Sequence, residues 1–363
     1  MNRRQFVRSA GLAPVCAGLQ RYSGLRAEEP AAWRTFEVRT NIEVLKPSGI
    51  TRVWAPMPLI ARAPFQKTLA STFHCEGGKS KTFERKADGL ELLAVEFPDG
   101  VKPAVTMTSR ITTRDWAVDL SEPSSKKQST SAGLKYFLRP TQLLPTDGIV
   151  KSTADQITKN SGSDVDKARA IYEWIVENTS RNPKTRGCGR GDIRYMLESR
   201  DLSGKCADLN ALFVGLSRAA GLPARDVYGI RTVKSELGYK SLGASSEQIT
   251  KAQHCRAEVH LSNYGWVAVD PADVRKVMLE EPPGNRSLAD NMVKKARERL
   301  FGSWEMNWMA YNYAHDVVLP GSSGPAVPFL MYPQAETADG RLDCLDADSF
   351  KYEITSREIA ANG

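Results

Sequence analysis

Ser203-Gly204-Lys205-Cys206-Ala207-Asp208-Leu209-Asn210-Ala211-Leu212-Phe213-Val214-Gly215-Leu216-Ser217-Arg218-Ala219-Ala220-Gly221-Leu222-Pro223 is the stretch from which the rest of the chain is read. Leu209, Leu212, Phe213, Leu216 and Ala220 recur at three- and four-residue spacing, which puts them on one face of a core-packed helix. Ser203 offers an N-cap, and Gly221 followed by Pro223 a stop. Cys206 therefore falls in the first turn. The unpaired amides and the positive end of the helix dipole there favour a thiolate, the reactive form of cysteine. A first-turn amide can also stabilise an oxyanion formed by attack at that sulfur. A cysteine so placed is more often a small packed residue than a nucleophile, so it needs a base.

The chain has four histidines, His74, His254, His260 and His315, and two of them lie in His254-Cys255-Arg256-Ala257-Glu258-Val259-His260-Leu261-Ser262-Asn263-Tyr264-Gly265-Trp266-Val267-Ala268-Val269-Asp270. Alternation there predicts a hairpin. Cys255, Ala257, Val259, Leu261, Val267 and Val269 form one face, with His254, Arg256, Glu258, His260, Trp266 and Asp270 on the other. The chain reverses near Ser262 to Gly265, which returns Asp270 to nearly the level of His254, although a four-residue loop leaves the two about three positions out of register. A bulge or a diagonal reach has to close that gap. The reading assigns His254 as base and Asp270 as its orienting carboxylate, leaves His260 as a surface histidine beside the turn, and gives His315 no role.

Gly204-Lys205-Cys206, Arg218-Ala219-Ala220-Gly221-Leu222-Pro223-Ala224-Arg225, and His254 to Asp270 with its Glu258-Val259 and Gly265-Trp266 together resemble the transglutaminase-like superfamily, over roughly residues 150–275. The resemblance implies an α+β fold with a papain-like core, a cysteine-bearing helix packed on an antiparallel sheet. It also implies a Cys206-His254-Asp270 triad and transfer or hydrolysis of amide-linked acyl groups through a thioester. Cys255-Arg256 departs from the small residue and tryptophan that many members carry after the histidine, which bears on the substrate groove. A catalytically inactive peptide-binding module of the cell envelope with the same fold is the competing reading.

Outward from that core, Thr35 to Leu45, Ile50 to Trp54, Leu90 to Phe97 and Ala104 to Val118 read as strands, with Asp88-Gly89 a hairpin turn. They predict a small β-sandwich over 28–120, joined by a linker over 121–149 to a catalytic core over 150–280. Ser163 and Asp166 predict a capped helix over 164–179. Gly187-Cys188-Gly189-Arg190-Gly191 has amides that could in principle cradle an anion but, lacking the Lys-Ser/Thr ending of a phosphate loop, reads as a plain turn. In the extension over 281–363, Ser287 and Asp290 mark the start of a basic helix, Trp304, Trp308 and Tyr311 a core stripe at helical spacing, and the tail from Val317 strands that complete or cap the catalytic unit.

Composition narrows the function classes. The chain has 363 residues, 41% hydrophobic and 25% charged, with a mean hydropathy of −0.39, which excludes a membrane bundle. Five arginines within the first 27 residues account for much of the +8 charge, and +3 remains without them. No electrostatic footprint for nucleic acid is left. Arg3-Arg4 before a short apolar stretch predicts a twin-arginine export signal over 1–27, hence a periplasmic or secreted protein. Export would leave Cys75, Cys188, Cys206, Cys255 and Cys344, which accommodate up to two disulfides or none. No Cys-x-x-Cys pair supports a zinc site, and no cofactor is implied, so the expected partner is a protein or peptide amide.

Overall fold

The structure, a computed structural model, describes residues 32–123 and 132–360; the expected export signal and most of the polar linker stretch lie outside them. Two antiparallel sheets face each other in the first unit. One orders Phe350–Ile359, Arg34–Val44, Ala104–Thr113 and Gln66–His74, the other Gly340–Arg341, Gln334–Thr337, Thr51–Pro56, Leu90–Phe97 and Lys79–Arg85. Ile42, Val53, Leu93, Val95, Phe97, Val105 and Met107 fill the space between them together with Ala335 and Phe350. Each large apolar side chain so buried contributes about 1.5–3 kcal/mol. The tail strands thus complete the sandwich: Arg34–Val44 pairs with Phe350–Ile359 from Thr35 opposite Ile359 to Val44 opposite Phe350.

The second unit sets the Cys206–Ala219 helix against a sheet ordered Gly265–Val269, Gln253–Leu261, Ala224–Arg231 and Trp308–Asn312. Every residue of that helix is buried. Its apolar faces meet the sheet and the helices Gly148–Thr158, Asp164–Asn178 and Pro271–Glu280, a helix enclosed all round rather than on one stripe. Several of its polar residues have internal partners, although the Ser217 hydroxyl has none among the described residues. Arg218, pushed down to about 10 by burial, donates from Nε to the Ala224 carbonyl at 2.8 Å. The helix stops where Gly221 takes φ 86° and Leu222 N–H closes on the Ser217 carbonyl at 2.9 Å.

Two side chains of the sandwich dock on the outer strand of this sheet and on the segment leading into it. Gln66 brackets Ala310, donating to its carbonyl at 3.0 Å and accepting its N–H at 2.7 Å, and the Thr113 hydroxyl donates to the Met306 carbonyl at 2.7 Å. An edge that would otherwise expose unpaired backbone groups is thereby covered. Trp304 and Trp308 lie in the strands Ser303–Trp304 and Trp308–Asn312, not on a helix, and are fully buried. The basic helix begins at Asn291, with Asp290 alone capping it through Met292 N–H.

Candidate active site

Cys206 is the first helical residue, one position after an N-cap at Lys205 rather than three after Ser203. The cap works through Asp208, whose Oδ2 accepts the Lys205 N–H at 3.0 Å. Its Oδ1 accepts Arg190 N–H and Gly191 N–H, both at 2.9 Å. The glycine-rich turn, read from sequence as a plain turn, instead cradles a carboxylate, and that carboxylate is the chain's own. Gly189 has φ 96°, and a Cβ there would sit 1.8 Å from Asp208 Oδ2, so only glycine lets the turn approach so closely. Ala207 N–H adds a bond to the Cys188 carbonyl at 2.9 Å. Together these contacts fix the sulfur's backbone to a second cysteine-bearing segment.

His254 and Asp270 meet by a diagonal reach. The hairpin pairs Leu261 with Gly265 and Ala257 with Val269, so its loop is the three residues Ser262–Tyr264, and Asp270, level with Arg256, falls two positions short of His254. No bulge interrupts the ladder; the carboxylate spans the offset, with Asp270 Oδ2 accepting from His254 Nε2 at 2.7 Å. Asp270 also caps the Pro271–Glu280 helix by accepting Asp273 N–H at 3.1 Å, and Asn210 Nδ2 donates to it at 3.2 Å and to the Cys255 carbonyl at 2.8 Å. The imidazole is held from behind as well. Trp308 Nε1 donates to the His254 carbonyl at 2.9 Å, and Gly229, opposite His254, leaves room for the Trp308 ring, which a Cβ would meet at 2.3 Å. With Nε2 committed to Asp270, Nδ1 is left for the thiol side.

A ring of buried charge surrounds the pair. Arg231 donates to both oxygens of Asp273 at 2.7 and 2.8 Å, and Asp273 Oδ2 lies 3.4 Å from His254 Nε2. Burial, and then Arg231, would lower the His254 pKa, but Asp273 and Asp270 outweigh both and leave it raised. Burial and the neighbouring Asp273 lift the Asp270 carboxyl; burial would lift Asp273 too, but Arg231 holds it well below the ordinary range. Arg256, pushed down to about 10 by burial, lies 3.7 Å from Asp270 Oδ2 and over the Trp308 ring at 4.8 Å. At the sulfur, hydrogen bonds from Cys188 and Cys255, reinforced by His254 and opposed by burial, hold the Cys206 pKa well below its ordinary value. The same cluster pushes the Cys188 and Cys255 thiols well up, Cys188 mainly through its bond to Cys206 and Cys255 mainly through burial. All five described cysteines are unbridged.

The residues matched by the family model, 151–271, span the helix, the hairpin and Asp270, and the model is that of the transglutaminase-like superfamily. An uncharacterized Haemophilus influenzae protein is 33% identical over 345 residues, covering 89% of this chain and 91% of that one. The chain belongs to the transglutaminase-like superfamily. A solved Cytophaga hutchinsonii structure, provisionally described as a cysteine protease, superposes with a TM-score of 0.53 over 92% of this chain and 94% of that one at 13% identity, a likeness of fold. The periplasmic domain of TgpA from Pseudomonas aeruginosa matches at 15% identity and a TM-score of 0.32, covering 66% of this chain and 94% of that one.

In this transglutaminase-like chain the sulfur lies at the edge of a cavity of about 620 Å³. Cys188, Cys206 and His254 line one side, and Tyr332, Cys344, Phe350 and Tyr352 of the C-terminal segment line another. Cys206 is only 5% exposed, so a substrate reaches it from the cavity. His254, Asp270 and Asp273 offer three ligand atoms within 4.8 Å of one another, but Arg231 occupies both Asp273 oxygens and Asn210 one of Asp270's, so the donor set does not fit a metal ion. His260 is buried, with its ring edge-on to Trp266 at 5.5 Å, a correction to its expected surface position. The supporting residues Asn210, Arg231, Asp273 and Cys188 escaped the sequence reading. Asn210 lies four residues after Cys206, one helical turn on, and Asp273 three after the capping Asp270; both spacings were a usable signal.

Proposed function

We propose that the chain is a thiol-dependent acyl-transfer enzyme acting on carboxamides of peptides or proteins, with Cys206 as nucleophile, His254 as acid and base, and Asp270 orienting the imidazole. The observation that carries this reading is a first-turn cysteine with a depressed pKa facing a His–Asp pair at the edge of an open cavity. The Cys206 thiolate attacks the carboxamide carbon, forming a C–S bond, while the Cys206 N–H, one of the amides a helix start leaves free, stabilises the oxyanion. The C–N bond then breaks as the His254 imidazolium protonates the departing amine. Water or a second amine, deprotonated by His254, attacks the thioester and returns the thiolate. Asp270 keeps the tautomer and stabilises the cation. Export supports the same setting and rests on the arginine-rich start of the chain; cell fractionation tests it.

Iodoacetamide labelling with peptide mapping across pH tests the nucleophile. Cys206 is expected to label in preference to the other cysteines near neutral pH, with the rate falling about tenfold or more in His254→Ala. A silent Cys206 in the folded protein would leave the peptide-binding module as the better reading. Turnover of glutamine donors with and without added amine then separates cross-linking from hydrolysis.

A further inference from the structure

Six cations line the cavity at Cys206, namely Arg181, Arg186, Lys205, Arg231, Lys251 and Lys276, and among the described residues no aspartate or glutamate lines it. Three carboxylates outside the lining pair with four of them. Arg231 binds Asp273, Arg186 reaches Asp343 at 2.6 Å, and Arg181 and Lys276 share Glu280, the lysine at 3.8 Å. Lys205, adjacent to the nucleophile, and Lys251 have no ion-pair partner among the described residues. Positive charge lining the cavity therefore exceeds the carboxylates that pair with it. In a chain whose charge away from the first 27 residues is only +3, that excess is concentrated rather than spread. A concave, partly enclosed site focuses such a field on whatever enters it.

A second observation points the same way. Gln253, next to His254 and lining the same cavity, keeps its buried amide Nε2 without an acceptor among the described residues. A buried donor in that state is destabilising until an oxygen accepts from it. Lys276 is largely buried and, among the described residues, has its one ion pair at 3.8 Å, and so is also short of a close partner. Donors without acceptors and cations without anions are complemented by one chemistry, a ligand rich in carboxylate and carbonyl oxygens.

We infer that the acyl donor is an acidic peptide, one bearing carboxylates beside the scissile carboxamide, selected by the cationic rim of Lys205, Lys251, Arg186 and Lys276. This rests on the acyl-transfer reading above and narrows its substrate. The rim attracts and orients the peptide through its flanking charges, while the neutral carboxamide reaches Cys206. Because the rim is partly exposed, the preference weakens with salt: the screening length is about 10 Å at 0.1 M and about 3 Å at 1 M.

Charged thiol reagents test this without a known substrate. Cys206 in the full chain is alkylated with iodoacetate and with iodoacetamide, and the ratio of rates is divided by that of a free cysteine peptide. The expected normalised ratio is about 3- to 10-fold in favour of the anion at low salt, falling towards one at 1 M. Lys251→Glu and Arg186→Glu should each lower it severalfold, whereas Lys102→Glu on the sandwich, with the same change in net charge, should not move it. A ratio of one at low salt, or equal effects of the three substitutions, overturns the inference and leaves the nucleophile standing. Failure of iodoacetamide itself to label Cys206 overturns the acyl-transfer reading and this inference with it. Paired glutamine peptides flanked by glutamate or by lysine provide the substrate arm, with kcat/KM expected to favour the acidic peptide about tenfold or more and equality counting against it.

Discussion

Among the described residues, His254 and His315 each approach a buried carboxylate, and the two places differ in what lies next to them. His254 and Asp270 meet at 2.7 Å beside a thiol and a cavity. His315 and Asp226 meet at 3.1 Å, both almost wholly buried, and neither lines that cavity. The second pair packs against Tyr228, whose ring lies 5.7 Å from the His315 ring, while the His315 carbonyl accepts from Arg85 at 2.7 Å. Partner type is the same in the two places, but only the first contact is a hydrogen bond; among the described residues His315 Nε2 and both Asp226 oxygens have no hydrogen-bond partner. Hydrogen-bond geometry, access and a neighbouring sulfur are what distinguish a reactive pair from a structural one, so a His–Asp contact alone says little about chemistry.

The largest separation between the two pairs is expected from removing one carboxylate charge in each. Asp270→Asn should lower acyl-transfer kcat by about 10²–10⁴-fold, because the imidazole loses both its tautomer control and its counter-charge. Steady-state kinetics on any turned-over donor measures it; a loss under threefold would mean that Asp273 or another group does the orienting. A smaller, pH-borne effect comes next. An ordinary thiol loses roughly two orders of magnitude of alkylation rate between pH 8 and pH 6, since its thiolate fraction falls with its pKa of about 8.5. Cys206, with its pKa depressed, should lose less than about tenfold over that range. Acyl transfer should fall on the acid side as Cys206 takes up its proton and on the alkaline side as pH passes the raised pKa of His254, giving a bell. The smallest effect on chemistry belongs to the other pair. Asp226→Asn should change Cys206 labelling by less than about twofold while lowering stability by about 1–3 kcal/mol in urea unfolding, the cost of disturbing a buried polar contact.

The parts of the fold that were legible are those in which local periodicity and tertiary burial agree. The Cys206 helix and the His254 hairpin carry dense apolar patterns, and both lie where those patterns put them. Boundaries depended on side-chain geometry that periodicity does not carry. Asp208 reaching back to Lys205 moved the helix start, and a three-residue loop with Asn263 at φ 71° set the hairpin register. Gln66–His74 and Lys79–Arg85 were missed as strands because most of their side chains face water, which erases alternation. His260 is enclosed because the hairpin's second face is covered by Trp266 and its aromatic neighbours, so a polar residue there did not mean a wet one. Pairing of the tail with Arg34–Val44 links positions more than 300 residues apart, and no local pattern encodes such a partnership.

That last pairing has a consequence for when the protein becomes competent. Phe350 and Tyr352 sit on the closing strand and also wall the cavity at Cys206. A nascent chain with its helix and hairpin already made still lacks both the final rung of the sandwich and one side of its reaction chamber. Thiol reactivity and full substrate confinement therefore mature at different moments of synthesis, and a polypeptide ending before Phe350 would carry the nucleophile and the cationic rim with one wall of the chamber missing.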